Sequence, residues 1–323
     1  MTKAFWAFIG SLIALPAMGE PSFIQPIDCE LGETCYIQNY VDRDPGPGFR
    51  DFACDRLTYD GHKGTDFAIL GDVDINTYFR GLDVLAAADG VVLGVRNTMA
   101  DKPHPSDRSQ DVSGKECGNG VVIDHGDGWH TQYCHLKNQS VRVKQGQSVT
   151  AGDVLGQTGL SGLTSFRHLH FSVRKDGQIV DPFSADSDAT CTDTPRQIWA
   201  EPVAHVPTGL IAIGVHDAVP DYEDLVALPR TPNHWAHPPA ALVIWAMGYG
   251  SDPADRVALI LTGPDGAVFD TAIPLDKAQS RYFRAYGKKR PAGGWPSGTY
   301  TGTATIERNG QVMAQDTLRF TLP

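Results

Sequence analysis

The sequence predicts a mainly β chain of two domains. Three observations carry that expectation. Short apolar runs recur between glycine turns from residue 82 onward. No stretch of that region shows a sustained helical period. A polar, proline-containing passage at 184–208 separates two such sets of strands, and 323 residues allow two domains of ordinary size.

Taken in order, residues 1–19 read as a secretory signal peptide. Lys3 supplies the positive start, AFWAFIGSLIALPA the apolar run, and Ala17-Met18-Gly19 a small-x-small cleavage site. The run is short for a membrane span, and no later stretch is apolar enough to be one. The mature chain is therefore expected to be exported, to the periplasm or the medium, with no membrane span. Residues 20–60 read as an irregular N-terminal segment, with DRDPGPGF marking turns. The runs DVLAAADGVVLGV, GNGVVIDHGDG, WHTQYCHL, SVRVKQGQSVTAGDVLGQTG and RHLHFSVRKDGQIV then read as strands. His125-Gly126-Asp127-Gly128 and Lys175-Asp176-Gly177 are expected hairpin turns. Residues 97–116 interrupt the rhythm as a long polar loop, either a groove wall or a surface insertion. The first domain is drawn at 61–195 and a linker at 196–208. Residues 209–323 follow with GLIAIGV, ALVIWAMG, RVALILTG, GAVFDTAI, GTYTGTATIER and DTLRFTLP, a smaller immunoglobulin-like β-sandwich. That domain has no cysteine, and its scattered His216, His234 and His237 read as ordinary surface or core histidines.

The formal charge is −11 and basic runs are lacking, which argues against nucleic acid as a partner. Six cysteines in an exported chain suggest disulfides. Proximity suggests Cys29–Cys35, and flanking of one hairpin suggests Cys117–Cys134. Cys54–Cys191 then remains.

Residues 167–174, RHLHFSVR, carry the chemistry. On a strand, Leu169, Phe171 and Val173 face one way, and His168, His170 and Ser172 the other. Two imidazoles then face one groove. GHKGTDFAI at 61–69 adds His62 and Asp66, and TQYCHL at 131–136 adds His135, expected on the same strand face as Tyr133 and Thr131. Two histidines and a carboxylate suit a catalytic zinc with one position left open, and further histidines can move protons or stabilise an oxyanion.

These stretches together resemble the LytM-type members of the M23 family of zinc metallopeptidases. The resemblance covers about residues 61–183 through GHKGTDFAI, ADGVVLGV, GNGVVIDHGDGWHTQYCHL, VKQGQSVTAGDVLGQTGLSG and RHLHFSVRKDGQIVDP. It implies an antiparallel β-sheet peptidase domain that binds one zinc ion through His62, Asp66 and His170. His135 and His168 would be its catalytic histidines. The implied reaction is hydrolysis of peptide bonds in the stem or cross-link peptides of bacterial peptidoglycan. Two alternatives stay open: a latent or non-catalytic wall-binding regulator, and a secreted peptidase acting on glycine-rich proteins. For latency, Asn39, Asp55 and His104 are candidate plugs of the zinc. The chain departs from many relatives at Phe166-Arg167, where Gly or Pro is usual, and at Ser172, where Glu is usual. A cupin also carries His-x-His, but there the pair precedes the other ligands, whereas here it comes last. The C-terminal domain is expected to position substrate or a partner protein.

Overall fold

A computed structural model describes residues 19–71, 73–102, 112–186, 193–228 and 235–323. Residues 1–18 of the expected signal peptide, the centre of the 97–116 loop with His104, Cys191 and His234 lie outside the described residues. The fold is mainly β. In chain order the first part contains β1 (Cys35–Asn39), β2 (Thr65–Ile69), α1 (Ile75–Arg80), β3 (Asp83–Leu85), β4 (Gly90–Arg96) and β5 (Asn119–Asp124). It continues with β6 (Trp129–Leu136), β7 (Ser148–Val149), β8 (Val154–Gln157), β9 (His168–Lys175) and β10 (Gln178–Val180). The second part contains β11 (Gly209–His216), α2 (Tyr222–Ala227), β12 (Ala241–Ser251) and β13 (Asp255–Gly263). β14 (Gly266–Pro274), β15 (Gln279–Lys289), β16 (Gly298–Arg308) and β17 (Gln311–Leu322) complete it.

The main sheet runs β1-β2-β9-β6-β5-β4-β7, with β10 beside β9, and every pairing is antiparallel. β3 and β8 form a separate two-stranded ribbon. Both expected hairpin turns are present. Asp127 and Asp176 take positive φ and are each followed by a glycine with positive φ, the backbone that tight hairpins demand. The segment read as irregular supplies β1, an edge strand of this sheet. Its five residues are all buried, so no period-two alternation marks it in the sequence. α1 was likewise not anticipated. It is six residues long, capped by the Asp74 carboxylate, which accepts from the backbone of Asn76 and Thr77.

The second part holds a three-stranded sheet, β11-β12-β15, and a four-stranded sheet, β14-β13-β16-β17. Ile244, Ala246 and Leu242 of β12 join Leu259, Leu261 and Tyr300 in the core between these sheets. The alternate residues Trp245, Met247 and Tyr249 belong to the core of the first part. The three-stranded sheet is thus apolar on both faces, which explains the unbroken run LVIWAMGY in a strand. Tyr36 of β1 stacks on Tyr249 at 4.5 Å. Residues 196–208 are packed down rather than free. Ile198 and Trp199 are buried, and the backbones of Phe23 and Ile198 are hydrogen-bonded at 2.9 Å. The disulfides Cys29–Cys35 and Cys117–Cys134 are both formed. Cys54 is also disulfide-bonded. No described helix is long and apolar enough to cross a membrane.

Candidate metal centre

The site is built on one row across four strands. Asn39 of β1 lies opposite Asp66 of β2, Asp66 opposite His170 of β9, and His170 opposite Cys134 of β6. Cross-strand partners share a face, so this register gathers their side chains at one level of the sheet. The opposite face of β9 carries Leu169, Phe171 and Val173, all within 1% of complete burial, and fixes the strand against the core. His62 reaches the row from the turn before β2. Its Nδ1 donates to the Tyr40 carbonyl at 2.6 Å, which leaves Nε2 aimed at the site. Gly64 has to be glycine here: a Cβ would lie 2.6 Å from His170 Nε2 and from the Phe171 carbonyl oxygen.

His62, Asp66 and His170 converge. His62 Nε2 lies 3.2 Å from Asp66 Oδ2 and 3.2 Å from His170 Nδ1, which in turn lies 2.8 Å from Asp66 Oδ1. Among the described residues this is the one group of three such side chains able to hold a metal ion. The donor set fits zinc. Tetrahedral bonds of about 2.0–2.1 Å put ligand atoms about 3.3 Å apart, close to the spacings found. The nitrogen of His170 that enters the cluster is Nδ1, and its Nε2 lies 3.1 Å from the Ser172 hydroxyl, which can accept its proton. Asn39 Nδ2 donates to Asp66 Oδ2 at 2.8 Å. Asn39 therefore orients a carboxylate of the cluster rather than plugging the position expected for the metal. Asp55 accepts from the backbone of Arg56, away from the cluster.

Electrostatics follow from burial and these contacts. Burial alone would push the Asp66 carboxyl up. The charges of His62 and His168 and hydrogen bonds from His168 and His170 outweigh it and hold Asp66 well below the ordinary carboxylate value. Burial pulls His62 down, but Asp66 and the Tyr40 carbonyl raise it overall. Burial pulls His170 down; the hydrogen bond and charge of Asp66 raise it, but burial, helped by the charges of His62 and His168, leaves it lowered. His135 is held well below the usual histidine value by burial and then by the charges of His168 and His170.

His135 and His168 stand together beyond the cluster, their rings 4.6 Å apart. His135 does not follow the strand alternation expected for it. Tyr133 turns into the core, its ring 5.3 Å from Phe171, while His135 turns to the groove. The reason is its backbone: φ is +61°, which breaks the extended conformation and swings the side chain to the other side. The break is braced by two backbone hydrogen bonds, to Cys117 and from Gly159, and by the Cys117–Cys134 disulfide. His135 Nδ1 donates to the Ser161 carbonyl at 2.8 Å. His168 Nδ1 lies 3.0 Å from the Phe166 carbonyl, and its Nε2 lies 3.5 Å from Asp66 Oδ1.

A groove of 520 Å³ opens over the cluster, walled by Tyr59, Lys63, Glu116, Gln132, Leu163 and Arg174 among others. The C-terminal end of the 97–116 loop thus contributes a groove wall through Glu116. Tyr59 is half exposed and lies 4.5 Å from the His62 ring, a position that nothing in the sequence pattern marked.

Fold and site together define a β-sheet protein with a two-histidine, one-carboxylate centre flanked by two further imidazoles. Residues 60–182 match the sequence profile of Peptidase family M23. Those residues, fewer than half of the chain, are the part that resembles this family. The chain is 34% identical over 125 residues to the peptidoglycan DD-endopeptidase ShyA of Vibrio cholerae, covering 39% of this chain and 23% of that protein. It is 30% identical over 122 residues to the murein hydrolase activator NlpD of Escherichia coli, covering 38% and 25%. The chain thus spans about a quarter of the length of these relatives. A crystal structure of a zinc-containing peptidase from Vibrio cholerae is similar at 27% identity and a TM-score of 0.35, over 52% of this chain and 41% of that one.

Proposed function

We propose that the chain is an exported zinc metalloendopeptidase that hydrolyses peptide bonds in the stem or cross-link peptides of peptidoglycan. One observation carries the proposal: His62, Asp66 and His170 converge on one point, with His135 lining the open groove over it and the buried His168 ring 4.6 Å from that of His135. The names of the relatives point to peptidoglycan as substrate. A zinc ion held by His62 Nε2, Asp66 and His170 Nδ1 supplies a water activated at neutral pH and a Lewis acid for the scissile carbonyl.

The chain's own residues do the rest. His135 spends its Nδ1 proton on the Ser161 carbonyl and is kept uncharged by burial, so its Nε2 lone pair is free. It serves as general base for the attacking water. His168 donates from Nδ1 to the Phe166 carbonyl, and in its imidazolium form, with Asp66 Oδ1 3.5 Å from Nε2, its Nε2–H supports the developing oxyanion. The proton held on His135 then passes to the departing amine. The open groove admits an extended peptide, with Arg174 tied to Gln132 at 2.9 Å along its wall.

A second reading, a non-catalytic activator of other wall enzymes, is favoured by the likeness to NlpD. The filled set of five positions weighs against it. Incubating the mature chain and its His170→Ala variant with zinc and purified peptidoglycan separates the two. Mass spectrometry should find fragments released by the wild type alone. Intact peptidoglycan from a zinc-loaded wild type would support the activator.

A further inference from the structure

Phe166 and Arg281 form an arrangement that neither the site nor the fold requires. Phe166 occupies a position where many relatives of this kind carry a residue without an aromatic ring. Its ring lies on the imidazole of His168, with centroids 4.5 Å apart and planes 26° apart. The same residue's carbonyl oxygen lies 3.0 Å from His168 Nδ1. The Phe166 backbone is itself fixed by Thr164, whose hydroxyl donates to the Phe166 carbonyl at 2.7 Å. Over the Phe166 ring lies the guanidinium of Arg281, 3.7 Å from the centroid.

Arg281 comes from β15, in the second part of the chain. It is not held there by a carboxylate: among the described residues no acidic side chain is within ion-pair distance of it. Two neutral acceptors fix its plane instead. Nε donates to Gln38 Oε1 at 2.7 Å, and an Nη donates to the Tyr36 hydroxyl at 2.7 Å. Gln38 returns its amide to the Ser280 carbonyl at 2.7 Å. A planar cation locked at both ends and laid on an aromatic face is a rigid contact, favourable beyond its area.

We propose that Phe166 and Arg281 are positioning residues, through which the C-terminal sheets hold the imidazole of His168 at its working angle. The proposal rests on the reading of His168 as a catalytic group. The hydrogen bond at Nδ1 fixes one atom of the ring and leaves rotation about that point. The Phe166 face removes the rotation. Phe166 sits on a short loop between Ser161 and β9, half-buried, and Arg281 closes its other face. The C-terminal domain thereby acts on the reaction without touching substrate. Catalysis is sensitive to placement, since a shift of about 1 Å can cost 10²-fold.

The test uses the full mature chain, zinc-loaded, and Phe166→Ala, Phe166→Trp, Arg281→Ala and the Phe166→Ala/Arg281→Ala pair. kcat and KM on a soluble peptidoglycan fragment are read separately, with zinc content and melting temperature beside them. Phe166→Ala and Arg281→Ala are expected to lower kcat by about 10- to 100-fold with KM and zinc stoichiometry unchanged. Phe166→Trp should restore most of the rate. The double variant should be no slower than Phe166→Ala, because Arg281 acts through that ring. Additive losses, or a full rate in Phe166→Ala, would overturn the proposal. A second readout does not depend on turnover. The His168 Cε1–H resonance, assigned by its disappearance in His168→Ala, carries the ring-current shift of Phe166. At fixed pH it should move in Phe166→Ala and also in Arg281→Ala. A resonance that Arg281→Ala leaves in place refutes the coupling, even if the wild type does not cleave peptidoglycan. A wild-type rate in His168→Ala would instead refute the catalytic role assigned to His168.

Discussion

Replacing Asn39 with alanine should weaken zinc binding by about 10- to 100-fold without unfolding the chain. Asp66 is buried, and its Oδ2 accepts from Asn39 Nδ2 at 2.8 Å. The other groups around it are imidazole nitrogens at 2.8, 3.2 and 3.5 Å. Two of those, on His62 and His170, must be free of protons to bind a metal, so they cannot also donate to Asp66. The Asn39 amide is then the fixed donor that keeps the carboxylate aimed. A hydrogen bond to a charged group contributes about 1.5–3 kcal/mol, which at about 1.4 kcal/mol per decade is roughly 10- to 150-fold in affinity. Water entering the vacated space returns part of that, which sets the expected range near the effect usual for residues behind a metal ligand. Truncation orphans no second atom, because Asn39 Oδ1 has no partner. The assay is zinc competition against a chromophoric chelator, with the metal-free melting temperature as the control for folding. A dissociation constant within about twofold of wild type would refute this account of Asn39.

Other outcomes follow from the same structure. Ser172→Ala removes the acceptor for His170 Nε2–H and should weaken zinc by up to about tenfold in the same titration, whereas Ser172→Glu should tighten it. Asp181 is buried and its carboxyl is pushed up from 3.8 to about 7 by desolvation, against the lowering effects of the Phe183 backbone hydrogen bond and of Arg43. A raised carboxyl pKa in the folded state means that the unfolded chain loses this proton first. Its contribution is therefore lost as pH rises from about 4 to 7 and is constant above. Asp181→Asn should match wild type near pH 4 and be more stable by about 2–4 kcal/mol at pH 8, read as a difference in denaturant midpoints across pH. Equal midpoints at pH 8 would contradict the burial of Asp181, whose Oδ2 accepts no hydrogen bond among the described residues and has only the Arg43 guanidinium, 3.9 Å away, as a charge partner. Joint replacement of Cys117 and Cys134 by serine should cost about 3 kcal/mol for a closed loop of this length. It should also lower turnover more than zinc affinity, because Cys117 braces the backbone of His135 and not of a ligand.

The parts of the site that were legible in the sequence are those that follow from local geometry. Strand alternation alone put His168 and His170 on one face and Leu169, Phe171 and Val173 on the other, and the burial of the latter three bears this out. The hairpin glycines were equally plain, since only a few residue types tolerate the required φ. Alternation misled at His135, where a single positive φ reverses the face. Nothing in WHTQYCHL signals that reversal, because the positive φ at His135 is held by backbone hydrogen bonds with Cys117 and Gly159 from elsewhere in the chain. β1 was hidden for a different reason. CYIQN is buried on both faces, covered on one of them by the second part of the chain, so its pattern carries no period. Asn39 ends that strand, and its role becomes visible only once β1 is paired with β2.

Contacts between distant segments leave the least trace of all. Phe166 was visible in the sequence only as a departure from a family habit, and Arg281 as one charge on a strand of the second domain. They are 115 residues apart, and no periodicity relates them. Their meaning depends on the docking of the three-stranded sheet, which the double-sided run LVIWAMGY does encode. An amphipathic strand of an independent sandwich would alternate. One that stays apolar on both faces must cover something on each side. Here the second side is the core of the first part of the chain, reached through Trp245, Met247 and Tyr249. A sheet docked through a buried apolar face is held in one orientation, and only a sheet so held can lay Arg281 on the Phe166 ring that stacks on His168.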